Sequence, residues 1–188
     1  MNHWLKAGVF LLGILVILFV AYFSINHSSD LVIKENIENW EYDNTNDFAL
    51  SGSDCVERFD YLFSNPTENC EYDGAYYILS DSPYATVEIV RAGTSKKEIV
   101  LQQMQDSKDA MLNPPNGSSI GASVDSIEGE YYLYVSATRE SRISEVYIWS
   151  SDNYYIFIVG IKSPTDPLKK IVAEYMKKYP SDLPSEIE

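Results

Sequence analysis

The sequence predicts an α+β fold, with an N-terminal transmembrane helix followed by one domain in which an antiparallel sheet packs against two helices. Three observations lead to this prediction: an unbroken apolar run at residues 7–25, short β-prone runs separated by turn residues, and helical spacing of apolar residues in two later segments. Because short turns join consecutive strands, an antiparallel sheet covered by helices is the economical arrangement. About 160 residues follow the apolar run, which suits one domain.

The apolar run extends from Ala7 to Ile25 with the sequence AGVFLLGILVILFVAYFSI. At about 1.5 Å per residue it is roughly 28 Å long, close to the hydrocarbon thickness of a bilayer. Lys6 precedes the run and every Asp and Glu follows it. Because positive charge stays in the cytoplasm, we expect a single-pass signal anchor in the cell membrane, with residues 1–6 inside and the C-terminal domain outside.

Two other interpretations of the apolar run remain open. A cleaved secretory signal needs a shorter apolar core and small residues at its cleavage site, which Ala21-Tyr22-Phe23 matches poorly. A prepilin-type leader would be cut near Lys6-Ala7-Gly8, so that the apolar helix becomes the core of a filament. The run has one preceding basic residue and lacks the early acidic residue that is usual in pilin helices.

Charge excludes some classes of partner. The formal net charge is -14, and all of the acidic residues lie beyond the apolar run. Such a surface repels nucleic acid and anionic lipid headgroups. The sequence therefore predicts no nucleic-acid partner.

The cysteine pair predicts a disulfide bond. Cys55 and Cys70 are the only cysteines, and the domain is expected on the oxidising side of the membrane. Two buried free thiols are the alternative. A metal site would need further ligands, and both histidines, His3 and His27, lie at the ends of the apolar run. We therefore predict neither a metal nor a cofactor.

The first elements after the span are predicted as a stalk and a short helix. Residues 26–53 are polar and acidic with isolated apolar residues, which is typical of an acidic stalk. Asp54-Cys55-Val56-Glu57 has the spacing of a capping box and begins a short helix, which Asn65-Pro66 ends. The extracytoplasmic domain is accordingly expected at residues 54–188.

The middle of the chain predicts a hairpin, a helix and a weak strand. Residues 76–79 and 86–91 are β-prone and flank a turn, Ser80-Asp81-Ser82-Pro83. Ser95-Lys96-Lys97-Glu98 is a capping box for a helix that runs to about Leu112. Beyond the Pro-rich segment 113–117, a weak strand is expected at residues 120–124.

The last third predicts an antiparallel meander and a helix. Strands are expected at residues 131–137, 143–149 and 154–161, with turn residues between the last two. Asp166 and Pro167 can begin a helix whose apolar residues recur at helical spacing until Pro180 ends it.

The end of the chain resembles single-span extracytoplasmic proteins predicted in archaeal genomes. The resembling segment is an aromatic hairpin followed by a helix that ends at Lys178-Tyr179-Pro180-Ser181-Asp182-Leu183. The resemblance covers about a fifth of the chain. Those proteins have no assigned activity, so it implies a source and no function.

Alternation in the meander predicts a sheet with two apolar faces, one aliphatic and one aromatic. Six rings are expected to point away from the helices as a binding face for a protein, sugar or membrane. These rings belong to Tyr132, Tyr134, Tyr147, Trp149, Tyr155 and Phe157. The alternative is that the region of Trp40 and the cysteine pair folds over them as a second layer.

Function is predicted from the span, the aromatic face and the missing histidines. Because the outer domain has no histidine for acid–base chemistry or metal binding, we expect no enzyme but a non-catalytic domain that binds a protein or envelope partner. A pilin-like filament subunit and a hydrolase that uses carboxylates alone are the alternatives. Asn26-His27-Ser28 and Asn116-Gly117-Ser118 are possible glycosylation sites.

Overall fold

The computed structural model describes residues 30–63, 69–79, 84–112, 119–139, 142–163 and 167–185. The expected span at residues 7–25 and the two possible glycosylation sites, Asn26 and Asn116, lie outside these ranges. Within them, no helix is both long and apolar enough to cross a membrane. The residues from Leu31 onward form a compact unit.

The described part of this unit consists of one seven-stranded sheet, three α-helices and one short 3-10 helix. The strands are β1 (Glu41–Ser51), β2 (Cys70–Ile78), β3 (Tyr84–Ala92), β4 (Ser119–Ile127), β5 (Glu130–Arg139), β6 (Arg142–Ser151) and β7 (Tyr154–Ile161). The helices are α1 (Gly52–Arg58), the 3-10 helix (Asp60–Leu62), α2 (Lys97–Leu112) and α3 (Lys169–Lys178). The strand order is β1-β2-β3-β7-β6-β5-β4, and every neighbouring pair is antiparallel.

The predicted fold class is therefore wrong. The described chain is mostly sheet, it has three α-helices instead of two, and it contains no transmembrane helix within the described ranges. The sheet is wider than expected because a strand that the sequence does not reveal, β1, pairs along β2.

The predicted stalk at residues 26–53 is corrected from Leu31 onward, where the chain is part of the folded unit. β1 escapes detection because EYDNTNDFALS lacks the alternation of a half-buried strand. Its pairing with β2 shifts register between Asp43 and Phe48, where the Asp43 carboxylate accepts a 3.0 Å hydrogen bond from the Thr45 backbone N–H. Pairing with β2 therefore makes this polar segment an edge strand.

Residues 31–40 pack along α3 on one face of the sheet. The Leu31 carbonyl accepts hydrogen bonds from the Tyr179 hydroxyl at 2.7 Å and from Lys178 Nζ at 2.9 Å. The Ile33 backbone N–H donates to the Tyr175 hydroxyl at 2.7 Å. These bonds fix the start of the folded unit against the last helix.

Helices cover both faces of the sheet. We call the face that α3 covers the first face, and the face that α1 and α2 cover the second face. On the first face, the Tyr175 ring of α3 packs edge-on against Tyr77 of β2 with ring centroids 6.5 Å apart. On the second face, α1 packs on β1 and β2, while α2 packs on β4, β5 and β6. The antiparallel sheet is thus the middle layer of three.

The predicted disulfide bond between Cys55 and Cys70 is confirmed. It links α1 to the first residue of β2, with the two Cα atoms 5.7 Å apart. Both cysteines are buried. The bond therefore holds α1 on the second face of the sheet.

Candidate functional site

The six predicted binding-face rings do not share one face of the sheet. A two-residue turn, Asp152-Asn153, joins β6 to β7, and Asp152 adopts the positive φ of 55° that such turns favour. This turn pairs Trp149 with Ile156 and Tyr147 with Ile158. Tyr132, Tyr134, Tyr147 and Trp149 therefore lie on the first face, whereas Tyr155 and Phe157 lie on the second.

Most of these rings also lie in the interior. Tyr132, Tyr147, Trp149 and Tyr155 are buried, and Tyr134 and Phe157 are half-buried. The Trp149 indole N–H donates to the Tyr179 carbonyl at 2.9 Å, just beyond α3. The two helical layers thus cover most of the six rings that were predicted to form a binding face. A partner cannot contact all six rings at once.

A different set of side chains forms the exposed apolar surface. Phe48, Ile78 and Tyr84 are 40%, 37% and 39% exposed, and they lie on the second face, on β1, β2 and β3, beside the surface that α1 covers. Tyr61 of the 3-10 helix is 56% exposed, and its ring contacts those of Phe59 and Tyr155. The ring of Tyr76 stacks on that of Tyr84, with centroids 5.6 Å apart and planes 18° apart. We call Phe48, Tyr76, Ile78 and Tyr84 the aromatic patch.

A shallow pocket of about 360 Å³ lies beside Phe48 and Tyr76 of the aromatic patch, and Gly74 forms part of its lining. Its lining residues are Asn46, Phe48, Gly74, Ala75, Tyr76 and Thr86. Gly74 is cross-strand from both Phe48 and Glu88. A Cβ atom at Gly74 would lie only 2.7 Å from the Tyr72 hydroxyl, so the glycine both accommodates that ring and opens the pocket. We call this the Gly74 pocket.

Two polar groups lie beside the Gly74 pocket. The Tyr72 side chain is only 2% exposed, and its hydroxyl lies near the guanidinium of Arg58. The guanidinium of Arg58 lies 4.9 Å from the centroid of the Phe48 ring and 5.5 Å from that of Tyr72. Arg58 therefore caps two aromatic rings of the site by cation–π contact.

Glu88 lies cross-strand from Gly74, beside the Gly74 pocket and outside its lining. It is half-buried on β3, and burial raises the pKa of its carboxyl above the ordinary value of 4.5, while the nearby positive charge of Arg58 opposes the shift. An ionised carboxylate that is partly removed from water, and whose lost hydration is not fully replaced by hydrogen bonds or opposite charge, lowers the stability of the fold. Groups retained at such a cost are frequent at functional sites.

Replacing Glu88 by glutamine is expected to raise the free energy of unfolding at pH 7. Because the pKa of Glu88 is raised in the folded state, the unfolded chain ionises first as the pH rises, and the wild type loses stability over that range. The advantage of Glu88→Gln should therefore shrink on acidification and disappear below about pH 4. Urea unfolding of both proteins between pH 3 and pH 8 measures this, and a pH-independent difference would contradict it.

A larger cavity of about 700 Å³ lies at the other end of β2 and β3. Its charged side chains, Arg91 and Glu71, form an ion pair with each other. The side-chain amide of Asn153 donates to the Ala92 carbonyl at 2.8 Å. The Gly74 pocket, in contrast, adjoins the exposed aromatic patch, so it is the better candidate.

The described residues offer no obvious metal site. No three His, Cys, Asp or Glu side chains gather in the described ranges with the spacing that a metal ion needs.

Comparison of the chain with models of known families, with curated proteins and with solved structures gives no match.

The sequence reasoning missed the Gly74 pocket and the aromatic patch because it treated Phe48 as part of a stalk. One signal was present: Gly74 interrupts a β-prone run between Tyr72 and Tyr76. A glycine inside a strand often marks the close approach of another group. That pattern could have identified the site.

Proposed function

We propose that this protein is a membrane-anchored, non-catalytic domain that lies outside the cytoplasm and binds a component of the cell envelope through the aromatic patch. Residues 7–25 would be the single membrane span. The only histidines, His3 and His27, flank that segment, so the outer domain has none for acid–base catalysis. The observation that carries the proposal is the exposed aromatic patch.

Exposed rings of this kind favour binding. The aromatic patch brings three large side chains that are each more than a third exposed onto one corner of a sheet whose other apolar residues are mostly covered. Contiguous exposed apolar surface usually marks an interaction site, because leaving it in water costs free energy.

The aromatic patch lies away from residues 31–40, the first residues of the folded unit. The Val32 backbone N–H lies 3.5 Å from the Asp73 carboxylate on the first face of the sheet, whereas the aromatic patch lies on the second face. Ile78 is five residues further along β2 than Asp73, a distance of about 17 Å. A partner can therefore dock on the aromatic patch without displacing residues 31–40.

Substituting Phe48, Tyr76 and Tyr84 together by serine is expected to reduce envelope binding by tenfold or more, because it removes the two exposed rings of the aromatic patch and the half-buried ring of Tyr76. The measurement uses the full-length chain in mild detergent, mixed with detergent-washed, insoluble envelope material from the source cells. Sedimentation then separates bound from free protein. The matched control is Tyr131→Ser, which removes a half-buried ring near the opposite end of the sheet, on β5.

Wild type and Tyr131→Ser should sediment with the envelopes while the triple variant stays in the supernatant. The far-ultraviolet spectrum and the urea midpoint of each variant establish that it is folded. Failure of the wild type to sediment, or sedimentation of a folded triple variant with unchanged affinity, would refute the proposal.

A further inference from the structure

The Gly74 pocket combines apolar and polar groups in a way that narrows the chemistry of its ligand. Tyr76 and Phe48 present aromatic surface, and Gly74 leaves room between them. The polar lining residues are Thr86, with its hydroxyl, and Asn46, whose amide N–H already donates to Asp43 at 2.8 Å. The hydroxyl of Tyr72 and the charged groups of Glu88 and Arg58 lie beside this lining. The ligand should therefore have an apolar face and several polar substituents.

The charges around the Gly74 pocket argue against an ionic ligand. A cation would need the face of Phe48, but the guanidinium of Arg58 already lies 4.9 Å from the centroid of that ring. An anion would meet the half-buried carboxylate of Glu88. Since Arg58 and Glu88 carry opposite charges close to one pocket, their fields partly cancel there. A neutral ligand fits best.

A sugar ring has the required chemistry. Its C–H groups form an apolar face that can pack on an aromatic ring, whose face carries partial negative charge. Its hydroxyls both donate and accept hydrogen bonds, which suits a carboxylate acceptor and a guanidinium donor side by side. The volume of about 360 Å³ lies within the usual range of small-ligand sites.

The hydroxyl of Tyr72 is a further polar group beside the Gly74 pocket. It is buried and lies close to Gly74 and to the guanidinium of Arg58. A ligand hydroxyl that reaches this point can exchange hydrogen bonds with the Tyr72 hydroxyl and with the guanidinium.

We propose that the Gly74 pocket binds one neutral sugar ring of an envelope saccharide. Tyr76 and Phe48 pack against the ring, Glu88 accepts a hydrogen bond from a sugar hydroxyl, and Arg58 and Tyr72 complete the polar contacts. This inference rests on the proposed function, because it names the chemistry of the envelope component.

The test treats the envelope material in two ways before sedimentation with the full-length chain. Periodate cleaves vicinal diols of sugars, and borohydride then removes the resulting aldehydes; a mock sample receives periodate already quenched with glycerol. A second portion is digested with a broad-specificity protease. We expect periodate to reduce binding of the wild type by tenfold or more relative to the mock sample, whether or not the protease also does so.

Substitutions in the Gly74 pocket test whether the sugar ring binds there. Gly74→Ala places a methyl group in the pocket and should abolish binding, whereas Gly93→Ala, just beyond β3, meets its nearest atom at 3.8 Å and should bind normally. Tyr72→Phe removes only the buried hydroxyl. It should fold at least as stably as the wild type and bind about fivefold more weakly, because one hydrogen bond is lost.

The outcomes separate the two proposals. Binding that survives periodate but not protease would identify a protein partner, which overturns the sugar inference and leaves the proposed function standing. Normal binding by folded Gly74→Ala and Tyr72→Phe would also overturn the inference. Absence of binding to untreated envelopes would overturn the proposed function itself.

Discussion

Replacing Trp149 by alanine is expected to lower the free energy of unfolding by about 3–5 kcal/mol, the usual cost of truncating a large core aromatic residue. Trp149 is fully buried between the sheet and the end of α3. The substitution leaves a cavity and removes the donor that the Tyr179 carbonyl accepts at 2.9 Å. Urea unfolding followed by circular dichroism measures the loss.

The control for Trp149→Ala is Tyr84→Ala in the aromatic patch. Tyr84 is 39% exposed and stacks on Tyr76, so its loss should lower the free energy of unfolding by only about 1 kcal/mol. If both substitutions cost the same small amount, the aromatic rings of β6 would not be core, contrary to the three-layer packing.

Removing the disulfide bond is expected to destabilise the protein by about 3 kcal/mol. Cys55 and Cys70 are 15 residues apart in sequence, and closing a loop of that length restricts the unfolded chain by roughly this amount. The measurement compares urea unfolding of the wild type with that of the double variant Cys55→Ala, Cys70→Ala.

Reductant provides the internal control for the disulfide prediction. It should lower the urea midpoint of the wild type toward that of the double variant and leave the double variant unchanged. Equal midpoints for the oxidised wild type and the double variant would show that the bond between α1 and β2 contributes nothing to stability.

Local patterns predicted much of the sheet, because strongly β-prone runs reveal strands wherever they occur. β5, β6 and β7 lie where alternating residues predicted them, and α2 and α3 lie within a few residues of their predicted bounds. β1 could not be predicted in this way, because most of its eleven residues are polar and pairing with β2 stabilises the strand. Tertiary pairing outweighs local propensity at such an edge.

The candidate site was harder to predict than the strands. Which rings share a face depends on the length of each turn, and one two-residue turn at Asp152-Asn153 moves Tyr155 to the opposite face from Trp149. Exposure then depends on where helices pack, which a single sequence does not specify. Residues of β1, β2 and β3 line the Gly74 pocket, and β1, which lies far from the other two in sequence, was expected to be part of a stalk.

The most direct measurement of the central claim is hydroxyl-radical footprinting of the full-length chain with and without envelope material. Radicals oxidise exposed aromatic rings, so a docked partner should protect Phe48, Tyr76 and Tyr84 while Tyr131 keeps its reactivity. We expect at least threefold slower oxidation of those three rings in the presence of envelopes. Unchanged oxidation of the aromatic patch while the protein is bound would show that the partner docks elsewhere and would contradict the account.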